Sequence, residues 1–221
     1  LFYGAPGTGK TLLANAIAQH LDFPLILVRL DELVSSFLGE TGKNIRNIFD
    51  IASQESVVLF LDEIDTIAKF RSDEKELGEL KRIVTVLLQN IDFFPEKSIV
   101  IVATKREEML YKAIWRRFPL KIHFDLPGTE SRKLLFKLFL KDTSHDVDLD
   151  LLSRITEGLN GSDIFDIVRD ATKHSVISKS NKVTNTLLAR SYLTIANAEK
   201  LYTKLSKKAF YQLCQELQNA G

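Results

Sequence analysis

The sequence predicts an α/β fold, a parallel sheet with helices on its faces, followed by a small all-helical domain. Three observations predict it. The chain opens on an apolar strand end, Leu1-Phe2-Tyr3, that runs through a glycine-rich loop into a helical pattern. Two apolar runs of strand length, Val57 to Leu61 and Ile99 to Ala103, each end in polar residues. Beyond Pro127-Gly128 the apolar spacing is helical throughout. The domains are therefore bounded as residues 1–126 and 127–221.

Gly4 to Thr11 reads G-x-x-x-x-G-K-T. In this pattern the glycines let successive backbone N–H groups turn inward around a polyphosphate, a lysine neutralises β/γ charge, and a hydroxyl is placed to ligate Mg²⁺. Lys10 and Thr11 take those roles, and Pro6, Gly7, Thr8, Gly9 and Leu12 complete the candidate phosphate-binding segment. Leu13, Ile17 and Leu21, spaced by four, mark one face of the helix that follows.

After Pro24, Leu25 to Leu30 reads as a buried strand. Phe37-Leu38-Gly39 then sets an aromatic-aliphatic pair between polar flanks, either a core cap or an exposed loop that grips something. Ile45, Ile48, Phe49 and Ala52 mark an amphipathic helix. The next strand ends in Asp62-Glu63. Ligands of parallel sheets sit at the carboxyl ends of strands, so Asp62 reaches the same rim as the glycine-rich loop, where it can hold the Mg²⁺ shell. Glu63 beside it can orient a water for attack. Asp65 reads as a helix cap.

Lys69 to Glu76 is a charge-rich loop, followed by a helical stripe from Leu80 to Ile91. By the same rim argument Thr104-Lys105, at the end of the next strand, approaches the nucleotide. Trp115-Arg116-Arg117-Phe118 is either a nucleic-acid contact or an ion-paired surface, and Pro119 stops its helix. In the second domain the stripes run through Leu134, Leu135 and Leu138, then Leu149, Leu152 and Ile155, then Ile164, Ile167, Val168 and Ala171. A last stripe runs from Leu201 to Leu217. Asp146, Asp148, Asp150 and Glu157 imitate the acidic spacing of a calcium loop, but Leu151 stands where that loop requires glycine, so they read as helix caps.

Composition narrows the function classes. Thirty basic residues against 29 acidic give a net charge of +1, so no global field recruits nucleic acid or a membrane. The apolar runs fall far short of the roughly 20 residues of a membrane helix. A lone Cys214 excludes an internal disulfide and fits a reducing, cytoplasmic compartment. The four histidines are scattered without metal-ligand spacing. The abrupt opening on a strand end suggests an excerpt of a longer protein.

From Leu1 to about Ile177 the assembled motifs resemble those of AAA+ ATPases of the AAA subfamily, ring-forming protein-remodelling machines. Gly4 to Thr11 is similar to Walker A, and Leu59 to Asp65 to Walker B in its Asp-Glu-Ile-Asp form. The resemblance implies a P-loop NTPase domain with a helical lid, binding ATP and Mg²⁺. Thr11 and Asp62 would hold the metal, and Glu63 would polarise water. Thr104-Lys105 falls at the first sensor, and Arg116 and Arg117 fall where the family carries arginine fingers that enter the neighbouring subunit's site. Gly161 and Ser162 resemble the turn that brings the lid to the nucleotide, and Phe37 and Leu38 the first pore loop, which grips an unfolded polypeptide. The family's first sensor is usually Thr-Asn, whereas here Lys105 stands at the Asn position. Either Thr104 takes over that role or Lys105 contacts the γ-phosphate itself. The implied assembly is a hexameric ring of the bacterial or viral single-ring type, acting on protein or peptide through its pore, with neither a membrane span nor nucleic acid as partner. An ATP-dependent switch or scaffold with weak hydrolysis is the rival reading.

Overall fold

Val57 to Leu61 is apolar at every position, so a strand there must be covered on both faces. The computed structural model, which describes residues 1–35, 38–69 and 74–198, shows what covers it. The chain divides into two compact units, Leu1–Asp125 and the residues from Leu126 onward.

In the first unit the described strands are β1 (Phe2–Gly4), β2 (Leu25–Arg29), β3 (Val58–Asp62), β4 (Ile99–Thr104) and β5 (Ile122–Phe124). They form one parallel sheet in the order β2-β3-β4-β1-β5. The helices between them are α1 (Lys10–Leu21), α2 (Leu30–Ser35), α3 (Leu38–Ala52), α4 (Thr66–Lys69), α5 (Glu74–Asp92) and α6 (Lys112–Arg117). Alternation along β3 sorts the two cores. Val58 and Phe60 pack with Ala14 and Ala18 of α1, while Leu59 and Leu61 pack with Ile45 and Phe49 of α3 and Ile83 and Leu87 of α5. Phe60 is fully buried, which by itself contributes about 1.5–3 kcal/mol.

Several elements differ from the sequence expectation. On α1 the buried positions are Lys10, Ala14 and Ala18, whose small alanines bring the helix close to the sheet; of the expected stripe Leu13 and Ile17 pack half-buried against the same core, whereas Leu21 is exposed. β2 is an edge strand, and Leu27 is exposed on it. The sequence pattern does not predict β5, which at three residues is too short to show a periodicity against the turn residues after it.

β1 depends on its first glycine. Gly4 sits at φ +133°, and a Cβ there would stand 2.3 Å from the carbonyl oxygen of Phe124, its register partner on β5. Gly4→Ala is expected to destabilise the first unit by about 3 kcal/mol through clash and strain. A urea or thermal melt checks this, and an unchanged midpoint would contradict the pairing of β1 with β5.

The second unit comprises α7 (Thr129–Leu140), α8 (Leu149–Ile155), α9 (Gly161–Ile177) and α10 (Asn185–Ala198), with a two-residue parallel pair of β6 (His145–Asp146) and β7 (Val183–Thr184). Its core gathers Phe136, Leu140, Leu152, Ile164, Ile167 and Val168. On α7 the buried positions are Arg132, Phe136 and Leu140; of the expected stripe Leu135 packs against the core, while Leu134 and Leu138 are exposed. Arg132 sat unnoticed in the pattern because it is charged. It is buried by donating to the carbonyl oxygens of Ser153 and Pro127 and to the Thr129 hydroxyl. The calcium-like acidic run resolves into a cap, with the Asp148 carboxylate accepting from the backbone N–H groups of Asp150 and Leu151. Among the described residues no group of acidic, histidine or cysteine side chains could hold a metal ion by itself. No described helix is long and apolar enough to cross a membrane. The stripe from Leu201 to Leu217, with Cys214, lies outside the described residues.

Candidate nucleotide site

Parallel strands turn their carboxyl ends to one rim, and β1, β3 and β4 deliver Gly4, Asp62 and Thr104 to it. From Gly4 the chain turns through residues 5–9 into α1. Gly9, at φ +103°, precedes the helix without a side-chain cap, and the first turn of α1 holds no acidic residue. The leading N–H groups are thus left for an anion, and the helix dipole favours one there. The Lys10 side chain folds back under the loop, its ammonium donating to the carbonyl oxygens of Gly4 and Ala5 at 2.8 Å each. The Thr8 hydroxyl donates to the same Ala5 oxygen at 2.7 Å. Burial lowers the Lys10 pKa; the Asp62 charge opposes that shift and the nearby Lys105 charge adds to it. Thr11 and Leu12 are exposed on the first turn of α1, and Pro6 on the loop.

At the end of β3, burial holds the Asp62 carboxyl above its ordinary range, only partly offset by the Glu63 backbone N–H, which donates to Asp62 Oδ1 at 2.8 Å, and by the charges of Lys105 and Lys10. Glu63 adopts φ +58°, a left-handed conformation that costs a residue with a Cβ about 1 kcal/mol or more. Its carboxylate accepts a 2.5 Å charged hydrogen bond from Lys105 Nζ. That bond raises the Lys105 pKa.

Asp65, which the sequence predicts to cap a helix, braces a neighbouring strand end. Buried, it accepts from the Thr104 hydroxyl at 3.0 Å and from the Lys105 backbone N–H at 3.3 Å, fastening the end of β4 to the turn after β3. Thr104 is fully buried and accepts in turn from the Arg106 N–H. Its hydroxyl is thus committed to this brace, and of the two residues it is Lys105 that faces Glu63. The Asp-Glu-Ile-Asp spacing carried the signal, since a second acid three residues after the strand end returns to the same rim.

The donor types at the rim, the Thr11 hydroxyl and the desolvated Asp62 carboxylate, are hard oxygens of the kind Mg²⁺ takes. Arg116 and Arg117 stand at the end of α6, and no described contact joins them to this cluster. Arg116 is exposed and forms no ion pair among the described residues. Arg117 is held in its own chain by a two-pronged ion pair with Asp92 at the end of α5. Nothing in the sequence pattern marked Asp92, a single acid closing a helical stripe. In the second unit Gly161 and Ser162 open α9 under a capping box formed by Asn160 and Asp163. Phe37 lies outside the described residues, and Leu38 begins α3 with its side chain undescribed.

A parallel sheet whose first strand ends in a glycine-rich loop, with a lysine beneath it and acids on the neighbouring strand end, defines a phosphate-loop nucleotide-binding protein. Residues 1–126 match the family described as "ATPase family associated with various cellular activities (AAA)", and the chain belongs to that family. It is 40% identical over 183 residues to an uncharacterized AAA family ATPase of Sinorhizobium fredii, covering 83% of this chain and 56% of the relative. Identity is 42% over 180 residues to a proteasome-activating nucleotidase of Methanopyrus kandleri, covering 77% of this chain and 41% of the relative. It is 38% over 177 residues to the Arabidopsis thaliana protein SUPPRESSOR OF K(+) TRANSPORT GROWTH DEFECT 1, covering 77% and 41%. The chain thus spans about half the length of the curated relatives it matches.

Proposed function

We propose that the chain hydrolyses Mg-ATP as part of a ring-forming motor that remodels or threads protein substrates in the cytoplasm. The observation that carries the reading is the cluster of Lys10, Asp62, Glu63 and Lys105 at one sheet rim, beside an uncapped helix start. In this reading residues 6–12 cradle the triphosphate, with Lys10 leaving its carbonyl partners for phosphate oxygens. Thr11 and Asp62 hold Mg²⁺, whose charge the desolvated Asp62 carboxylate would welcome. Glu63 orients the attacking water and accepts its proton. Arg116 of one subunit reaches the site of the next, with Arg117 and Asp92 bracing the helix that presents it. The resemblance assigns Gly161 and Ser162 to nucleotide binding and Phe37 with Leu38 to the polypeptide grip.

One observation favours the rival switch: the Lys105 ammonium occupies the carboxylate that must act on water. Phosphate release measured against protein concentration, with and without an unfolded polypeptide, separates the two. A steep rise with concentration and stimulation by the polypeptide are expected. A flat line near zero would mean a switch, and stimulation by DNA instead of polypeptide would mean a nucleic-acid motor.

A further inference from the structure

Two ammonium groups meet at the rim, and they are held in different ways. Lys10 is buried and donates to the neutral carbonyls of the loop on which the phosphates would sit, with no acidic partner to give up. Lys105 is half-exposed, and its backbone is fixed through the buried Asp65, so only its flexible side chain is free to move. That side chain is paired with the Glu63 carboxylate, and its charge acts on Lys10. A triphosphate on the Lys10 loop would therefore bring its terminal phosphate into the field of a cation already engaged by Glu63.

We propose that Lys105 exchanges partners, leaving Glu63 for the terminal phosphate of a bound nucleoside triphosphate, and that this exchange both frees Glu63 and makes the site prefer triphosphate over diphosphate. The inference rests on the nucleotide-site reading above. Its physical basis is competition: a single ammonium offers its short, charged hydrogen bond to a monoanionic carboxylate or to a more highly charged phosphate. A diphosphate presents no third phosphate, so the Lys105–Glu63 pair stays closed and Glu63 stays occupied. Loss of the terminal phosphate after hydrolysis would return Lys105 to Glu63, resetting the site.

The test is a binding cycle on the whole chain, without turnover as its readout. The affinities of ADP and of a β,γ-imido triphosphate analogue, both with Mg²⁺, are measured by displacement of a fluorescent nucleotide from wild type, Lys105→Met, Glu63→Gln and the double variant. Removing the ammonium in Lys105→Met is expected to weaken the triphosphate analogue about tenfold and to leave ADP within about twofold. Glu63→Gln, which releases Lys105 from its partner, is expected to tighten the analogue severalfold while Lys105 is present and to have no effect on it in the Lys105→Met background. Equal weakening of analogue and ADP in Lys105→Met, or a Glu63→Gln effect that persists without Lys105, overturns the exchange while leaving the nucleotide site in place. Failure of wild type to bind either nucleotide would overturn the site reading and the exchange together. Because Lys105 is half-exposed on a folded strand end, Lys105→Met is expected to keep the wild-type melting midpoint, which separates loss of binding from loss of fold.

Discussion

Glu63→Gln is expected to leave ATP bound and to slow turnover by on the order of 10²- to 10⁴-fold, the contribution of a positioned general base. The substitution preserves shape, so the left-handed turn at Glu63 and the hydrogen bond from its N–H to Asp62 both survive. It removes the charge that would accept a proton from water and loosens the hold on Lys105. Phosphate release at saturating ATP, with bound nucleotide quantified in parallel, checks both halves. Full turnover in Glu63→Gln would remove Glu63 from the chemistry and move the search to another acid at the rim.

The second large effect concerns a residue with no described contact to that rim. Arg116→Ala is expected to lower turnover on the order of 10³- to 10⁵-fold, as loss of an arginine finger does where such residues complete a nucleotide site. The reason to single out Arg116 is local. Arg117 spends its guanidinium on Asp92 within its own chain, whereas Arg116 stands exposed beside it without an ion pair among the described residues. A bidentate pair fixes the plane of Arg117 and with it the end of a six-residue helix too short to be rigid alone. Arg117→Ala should therefore lose less than Arg116→Ala, because it loosens the support and keeps the tip. Equal losses in the two variants would contradict this division of labour.

Much of this was legible in the sequence because the signals were local. Gly4 to Thr11 is a continuous stretch whose residue types each answer a backbone or charge requirement, and the apolar run into Asp62-Glu63 announces both a two-sided strand and its rim. What escaped were features decided by partners distant in the chain. The most buried positions of α1 are alanines close to the sheet, which a periodicity weighted towards leucine passes over in favour of the half-buried Leu13 and Ile17. The exposure of Leu134 and Leu138 follows from Arg132 occupying the buried face through three hydrogen bonds, a role no hydropathy pattern assigns to arginine. Asp65 read as a cap because its neighbours in sequence suggested one, while its brace to Thr104 is made across 39 residues. The Lys105–Glu63 pair belongs to the same class: each residue is legible as a rim residue, but their contact across 42 positions arises only once β3 and β4 are neighbours.

The proposed site is assembled from two subunits, with Glu63 supplied by one and Arg116 by the next. Mixing two inactive variants tests this most directly. Glu63→Gln retains its Arg116, and Arg116→Ala retains its Glu63, so every mixed interface of the right polarity holds one complete set. Phosphate release that rises well above either variant alone when the two are combined is the predicted result. A mixture that never exceeds the sum of its inactive parts, while the chains demonstrably co-assemble, would contradict a shared site.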